Sequence, residues 1–88
     1  MTPEEVVGLV LAEYDRATAK FGAFNSSHEG YAVIAEELDE LWDEVKANRL
    51  DRACAEAIQV AAMGIQFVVD MTRLGPERAW NLAPEVSE

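Results

Sequence analysis

Six carboxylates lie close together between residues 36 and 44, and three of them are placed to do chemistry. On a helix of about 100° per residue, Glu37, Glu40 and Glu44 share a stripe along the border of an apolar face. A side chain on that border can reach into the groove between two packed helices. The other three fall on the opposite side and are predicted to form a solvated surface: Glu36, Asp39 and Asp43.

The apolar segment that follows carries further carboxylates. Residues 53–71 are apolar nearly all round, which predicts a helix that is buried on most sides. A polar stripe along it is made up of Glu56, Gln59, Gln66 and Asp70. A buried carboxylate costs several kcal/mol unless it pairs with a cation or binds a metal. Two interpretations of Glu56 therefore stay open, namely an ion pair with an arginine or membership of a metal site.

Three helices are predicted to carry these residues, at about 3–20, 27–48 and 51–74, within one all-α domain over residues 1–88. Residues 76–88 form a tail, with a short turn predicted around Trp80 and a frayed end. Capping and stop signals mark the helix boundaries. These signals are Thr2 and Pro3, the pair Ser26 and Glu29 in a capping-box spacing, Asp51 as an N-cap, and Gly75-Pro76.

The connection between the second and third helices is short, which predicts that they pack as an antiparallel hairpin. This arrangement brings Glu56 close to Glu40 and Glu44. Carboxylates that converge without matching cations repel one another, and a divalent ion resolves the repulsion. An all-oxygen set of ligands favours Mg²⁺ or Mn²⁺. In the same packing, Trp42 is predicted to lie in the core, and Cys54 is predicted to be a small buried side chain.

The charge of the chain limits its partners. Seventeen acidic residues against seven basic ones give a formal net charge of -10, which disfavours nucleic-acid polymers and anionic membranes. A nucleotide substrate stays possible because a bound divalent cation can invert the local field. The single cysteine excludes an intramolecular disulfide and fits a reducing compartment. With no signal peptide or membrane span readable, we expect a cytoplasmic protein.

The acidic pattern resembles a known family. Glu36-Glu37-x-x-Glu40, followed by Glu56 on the next helix, is similar to the metal-binding pattern of the MazG-like all-α nucleoside triphosphate pyrophosphohydrolases. That family is characterised by Glu-Glu-x-x-Glu, a variable gap, and Glu-x-x-Asp. The segments Phe24-Asn-Ser-Ser-His-Glu-Gly-Tyr31 and Glu56-Ala-Ile-Gln-Val-Ala-Ala-Met63 look like its small stand-alone branch from phage and bacterial genomes. The resemblance covers roughly residues 21–70.

The resemblance implies Mg²⁺-dependent hydrolysis of a nucleoside triphosphate to a monophosphate and pyrophosphate. It also implies a homodimer or homotetramer with a core like a four-helix bundle. The implied ligands are Glu37, Glu40, Glu56 and Gln59. Gln59 departs from the family, because it stands at the closing Asp and offers only a neutral carbonyl oxygen. A further carboxylate would be an outer ligand or the catalytic base. The helical wheel favours Glu44 for this role, and the family motif favours Glu36.

Four residues are candidates for binding the substrate. His28 is placed to contact phosphate or to be structural, and Asn25 to read a base edge or simply to form a turn. Lys46 and Arg49 are placed to bind the leaving pyrophosphate or only to solubilise the surface. The alternative to an enzyme is a non-catalytic helical oligomer with a degenerate metal site, which would act as a binding module.

Overall fold

Three helices make up most of residues 1–75, which are the residues that the computed structural model describes. Helix α1 spans Pro3–Phe21, α2 spans Ser27–Lys46 and α3 spans Leu50–Leu74. The all-α prediction is therefore confirmed, with boundaries within two residues of those expected. The predicted turn around Trp80 and the tail 76–88 lie outside the described residues.

The first two helices begin where their capping signals predict. Thr2 and Glu5 form a complete capping box, in which each side chain bonds to the other residue's backbone N–H, and Pro3 follows the cap. The Ser26 hydroxyl accepts a hydrogen bond from the Glu29 N–H at 3.1 Å. The Glu29 carboxylate bonds to the Asn25 N–H instead of the Ser26 N–H, so only half of the second capping box forms.

The turn between α2 and α3 differs from the prediction in two details. Helix α2 ends at Lys46 and not at Asn48, because Asn48 adopts a left-handed conformation with φ of 58° that stops the helix. Helix α3 begins at Leu50 after Arg49, so the prediction of Asp51 as its N-cap is wrong. Asp51 lies in the first turn, where its charge still interacts favourably with the helix dipole.

Helix α3 is the central element, since it packs against both α1 and α2. Its pairing with α2 is antiparallel, as predicted: Gly30 near the start of α2 meets Phe67 near the end of α3, and Glu40 meets Glu56. A Cβ atom at Gly30 would lie only 2.7 Å from the Phe67 ring, so this glycine permits the close approach of the two helices. The hairpin therefore holds the acidic stripes of α2 and α3 against each other.

The core lies between α1 and α3 and under the loop that joins α1 to α2. Its buried apolar residues are Val10, Ala17, Phe24, Ala62 and Met63. Two expectations about burial are wrong, because Trp42 is 57% exposed and Cys54 is exposed. No described helix covers the outer face of α2, because α1 packs on α3. The expectation that α3 is buried on most sides also fails, because Ala57, Ala61 and Val68 are exposed.

Helix α3 is also long and apolar enough to cross a membrane, judged by length and composition alone. Its most apolar 18-residue window has a mean hydropathy of 1.3, with 22% of that window buried. The core helix of a helical bundle passes the same test. In this structure α3 packs on both other helices and buries Gln66 and Asp70.

Candidate functional site

Three carboxylates from α2 and α3 converge in the groove of the hairpin. One carboxylate oxygen from each of Glu37, Glu40 and Glu56 lies within 4.8 Å of the other two. Glu37 and Glu40 are three residues apart on α2 and so lie on the same side of the helix. Glu56 comes from the second turn of α3, which the antiparallel pairing brings opposite them. We call these three residues the carboxylate cluster.

The carboxylate cluster is short of hydrogen-bond donors. The Oε2 atoms of Glu37 and Glu56 are buried and accept no hydrogen bond from the described residues. A buried carboxylate oxygen without a donor is costly, and a bound ion is one way to satisfy it. The available atoms are all hard oxygens, a donor set that suits Mg²⁺ or Mn²⁺. The residues present therefore fit a divalent cation.

The electrostatics of the carboxylate cluster also fit a bound cation. Burial raises the pKa of Glu37 to about 7, and repulsion from Glu40 and Glu56 adds to the effect. The pKa of Glu56 is also raised, first by burial and then by the charge of Glu40. Glu37 and Glu56 thus resist ionisation. A cation in the groove would remove this cost.

The structure does not support an arginine partner for Glu56. Among residues 1–75, no arginine nitrogen lies within 4.0 Å of a Glu56 carboxylate oxygen, and this includes Arg52, one turn before Glu56 on α3. Arg49 Nε donates to Glu44 Oε1 at 2.5 Å. Arg16 is paired with Glu13 on α1, and Arg73 approaches Asp70. Of the two interpretations of Glu56, the metal site is the one that this arrangement favours.

The two candidates for a catalytic base both lie beside the carboxylate cluster. Glu36 is exposed, and its charge contributes to raising the pKa of Glu37. Glu44 contributes to raising the pKa of Glu56, although its carboxylate is held by Arg49. Both residues therefore lie near the cluster, and both stay candidates for the base.

Gln59 lies one turn after Glu56 and is half-buried. It lines a shallow groove of about 330 Å³ between α1 and α3, together with Leu9 and Ile58. Its assignment as a fourth ligand stays a prediction.

The four predicted substrate-binding residues are not brought together. Asn25 and His28 are exposed near the start of α2, whereas Lys46 is its last residue and Arg49 lies just beyond that end. Lys46 Nζ lies 3.5 Å from Asp43 Oδ1 and 5.7 Å from the centre of the Trp42 ring. At 1.5 Å per residue, His28 and Lys46 are separated by about 27 Å along the helix. The two pairs flank the carboxylate cluster from opposite sides.

A cleft that the sequence did not reveal opens beside the carboxylate cluster. Its volume is about 290 Å³, and Glu36 and Glu37 form part of its wall. Gln66, which is only 2% exposed, lines the same cleft. The sequence placed Gln66 on the buried stripe of α3, and a polar residue in that position was the available signal.

Asp70 anchors the wall of this cleft. Its Oδ2 accepts hydrogen bonds from the Phe24 N–H at 2.8 Å and from Gln66 Nε2 at 3.2 Å. Gln66 Nε2 also donates to the Gly22 carbonyl at 3.1 Å. These bonds, which we call the Asp70 network, tie the loop between α1 and α2 to helix α3.

No protein-family model matches the chain, and searches of curated proteins and of solved structures find no match either. The case for a function therefore depends on the residues and their geometry.

Proposed function

We propose that this protein is a Mg²⁺-dependent nucleoside triphosphate pyrophosphohydrolase of the MazG-like type. The reaction is hydrolysis of an NTP or dNTP to the monophosphate and pyrophosphate. The carboxylate cluster is the observation that carries the proposal, because two of its three members have buried oxygens without donors. The type of reaction is the one implied by the resemblance of residues 21–70 to the MazG-like family.

The three carboxylates would hold the metal ion, and Gln59 would add a neutral oxygen. When bound, Mg²⁺ would neutralise phosphate oxygens and lower the pKa of a coordinated water. A carboxylate next to the cluster would then accept the proton of the attacking water. Glu36 suits this role better than Glu44, because the Glu44 carboxylate already accepts a hydrogen bond from Arg49.

Positive charge for the leaving pyrophosphate would come from the hairpin turn. Arg49 lies next to Glu44, whose charge acts on Glu56, and Lys46 lies one turn before it. At the other end of the site, His28 and Asn25 would contact the rest of the nucleotide. The negative charge of the chain makes a nucleotide a better partner than a nucleic-acid polymer. We also propose a cytoplasmic location, which fits the single cysteine.

The outer face of α2 supports the proposal of a homodimer or homotetramer. Leu38, Trp42 and Val45 are exposed along one stripe of this helix, together with Tyr31. Large apolar side chains clustered on one surface mark an interaction site. Pairing this face with that of a second copy would complete a core like that of a four-helix bundle.

The test is turnover. The purified protein is incubated with a panel of canonical and modified NTPs and dNTPs and with Mg²⁺ or Mn²⁺, and release of pyrophosphate and monophosphate is measured. We expect metal-dependent release that falls at least about a hundredfold in Glu40→Gln and Glu56→Gln, since each loses a metal ligand.

Asp39→Asn is the matched control, because Asp39 is an exposed carboxylate on the same helix outside the carboxylate cluster. It should retain activity. Absence of release from the folded wild-type protein, or release that survives both cluster variants, would contradict the proposal.

The second candidate is a binding module with a degenerate metal site, and Gln59 is the residue that favours it. This candidate predicts Mg²⁺ binding by calorimetry without turnover of any nucleotide. Gln59→Asp should then tighten Mg²⁺ binding, because it restores a charged ligand at that position.

A further inference from the structure

The cleft beside the carboxylate cluster is mainly apolar. Its apolar lining consists of Ala17, Phe21, Ala23, Phe24, Val33 and Met63. Apolar clefts with a few fixed polar groups are the usual form of small-molecule sites. A volume of about 290 Å³ lies at the lower end for such sites and suits one planar ring system better than a whole nucleotide.

Four polar side chains line the cleft: Glu29, Glu36, Glu37 and Gln66. The carboxylates accept hydrogen bonds when they are ionised, and the donor group of Gln66 is already bonded within the protein. Three acidic side chains in the wall repel phosphate, so the part of a ligand that enters is uncharged or carries donors. The cleft thus complements a ring with an N–H edge.

Gln66 provides the most firmly oriented acceptor. Both hydrogen bonds of its side chain are donated by Nε2, one to the Gly22 carbonyl and one to Asp70 Oδ2. Turning the amide over would place Oε1 against these two acceptors, so its orientation is fixed. Oε1 accepts no hydrogen bond within residues 1–75 and is left to bind a donor from the ligand.

An aromatic ring stands at the same cleft. Phe21 is 72% exposed, and Lys20 Nζ lies 5.2 Å from the centre of its ring. An exposed aromatic ring is a stacking surface for a nucleobase. Gly22 follows with φ of 82° and turns the chain immediately after Phe21.

We propose that the cleft binds the nucleobase of the substrate, with Gln66 Oε1 accepting a hydrogen bond from an N–H on its Watson–Crick edge and Phe21 stacking on its face. This inference rests on the proposed function, since it assumes that the ligand is a nucleotide. It makes Gln66 a specificity-determining residue. The phosphates would extend from the cleft along Glu37 towards the carboxylate cluster.

Nucleosides test this proposal without metal or phosphate. Adenosine is compared with purine riboside, which lacks the 6-amino group, and uridine with 3-methyluridine, which lacks the ring N–H. Affinities are measured by NMR titration of the full-length protein. The comparison is made within the pair, adenosine or uridine, that the protein binds with the higher affinity. In that pair, we expect the nucleoside that carries the N–H donor to bind about fivefold tighter than the one that lacks it, which is the effect of one neutral hydrogen bond. The shifted resonances should include those of Gln66.

Two variants identify the residues responsible. Gln66→Met keeps the length of the side chain but removes the acceptor, so it should abolish the preference between the paired nucleosides. Phe21→Leu changes an exposed position. It should weaken the binding of both nucleosides in each pair by a similar factor, so that the preference between them stays.

The outcomes separate the two proposals. Equal affinity within both pairs for the wild-type protein, or shifts that avoid the cleft, would overturn the inference even if pyrophosphate release is found. If Gln66→Met does not fold, the wild-type comparison still decides. A nucleoside preference mapped to the cleft, without turnover of any triphosphate, would retain the base site and reject the pyrophosphohydrolase.

Discussion

Helix α3 carries two buried or half-buried carboxylates in contrasting surroundings. Asp70 is 4% exposed and accepts hydrogen bonds from a backbone N–H and from Gln66 Nε2. Glu56 has a buried oxygen without a donor, and its neighbours Glu37 and Glu40 are themselves acids. The two carboxylates lie about 21 Å apart along the same helix.

Burial alone therefore does not identify a functional acid. A carboxylate that is surrounded by donors is part of the fold, because its hydrogen bonds offset the cost of removing it from water. A carboxylate that is surrounded by other carboxylates is destabilising until a cation binds. The hydrogen bonds of Asp70 give it a structural role, whereas the surroundings of Glu56 fit the metal site proposed above.

The largest effect that this comparison predicts concerns Asp70. Asp70→Asn should lower the free energy of unfolding by about 2 kcal/mol, because it replaces the charged acceptor of the Phe24 and Gln66 donors with a neutral amide oxygen and so weakens both hydrogen bonds. Urea denaturation at pH 7 measures the change. A loss below about 0.5 kcal/mol would show that the Asp70 network does not stabilise the loop.

The carboxylate cluster should respond in the opposite direction. In metal-free protein at pH 8, Glu37→Gln should raise the free energy of unfolding by about 1–2 kcal/mol, because it removes a carboxylate that must ionise beside Glu40 and Glu56. The same urea experiment measures it. A destabilised variant would mean that the charge of Glu37 is needed by the metal-free fold.

The stability of the metal-free protein should also depend on pH. The pKa of Glu37 in the folded protein is about 7, raised from an ordinary 4.5, so the folded state binds more protons than the unfolded state between these values. The contribution of Glu37 to the free energy of unfolding is therefore fully present below about pH 4.5 and is lost as the pH rises through 7. Thermal denaturation between pH 5 and 8 should show this loss.

Mg²⁺ should restore stability at pH 8 by binding the folded state. Glu56→Gln should cancel this effect of Mg²⁺, and Asp39→Asn, outside the carboxylate cluster, should leave it unchanged. Equal stabilisation of wild type and Glu56→Gln by Mg²⁺ would contradict the assignment of the cluster.

The sequence was sufficient for the three helices and for the convergence of Glu40 with Glu56, because capping residues and helical periodicity are local signals. The sequence did not predict the end of α2 correctly, because the left-handed conformation of Asn48 ends this helix two residues before the predicted position. It also placed Trp42 in the core, since periodicity identifies an apolar face but not what covers it. The cleft was not predicted because it depends on the loop between α1 and α2, whose position is set by the long-range bonds of Asp70.

The short turn of the hairpin has a consequence for the order of folding. All three members of the carboxylate cluster lie within residues 37–56, whereas the bond from Phe24 to Asp70 joins residues 46 positions apart. Contacts between near neighbours in sequence form faster than distant ones. We therefore expect the hairpin to form early, and Asp70→Asn to speed unfolding more than it slows refolding in stopped-flow experiments. A metal ion bound at the carboxylate cluster would then accelerate folding, whereas the proposed nucleobase site would form only after the last contacts have closed.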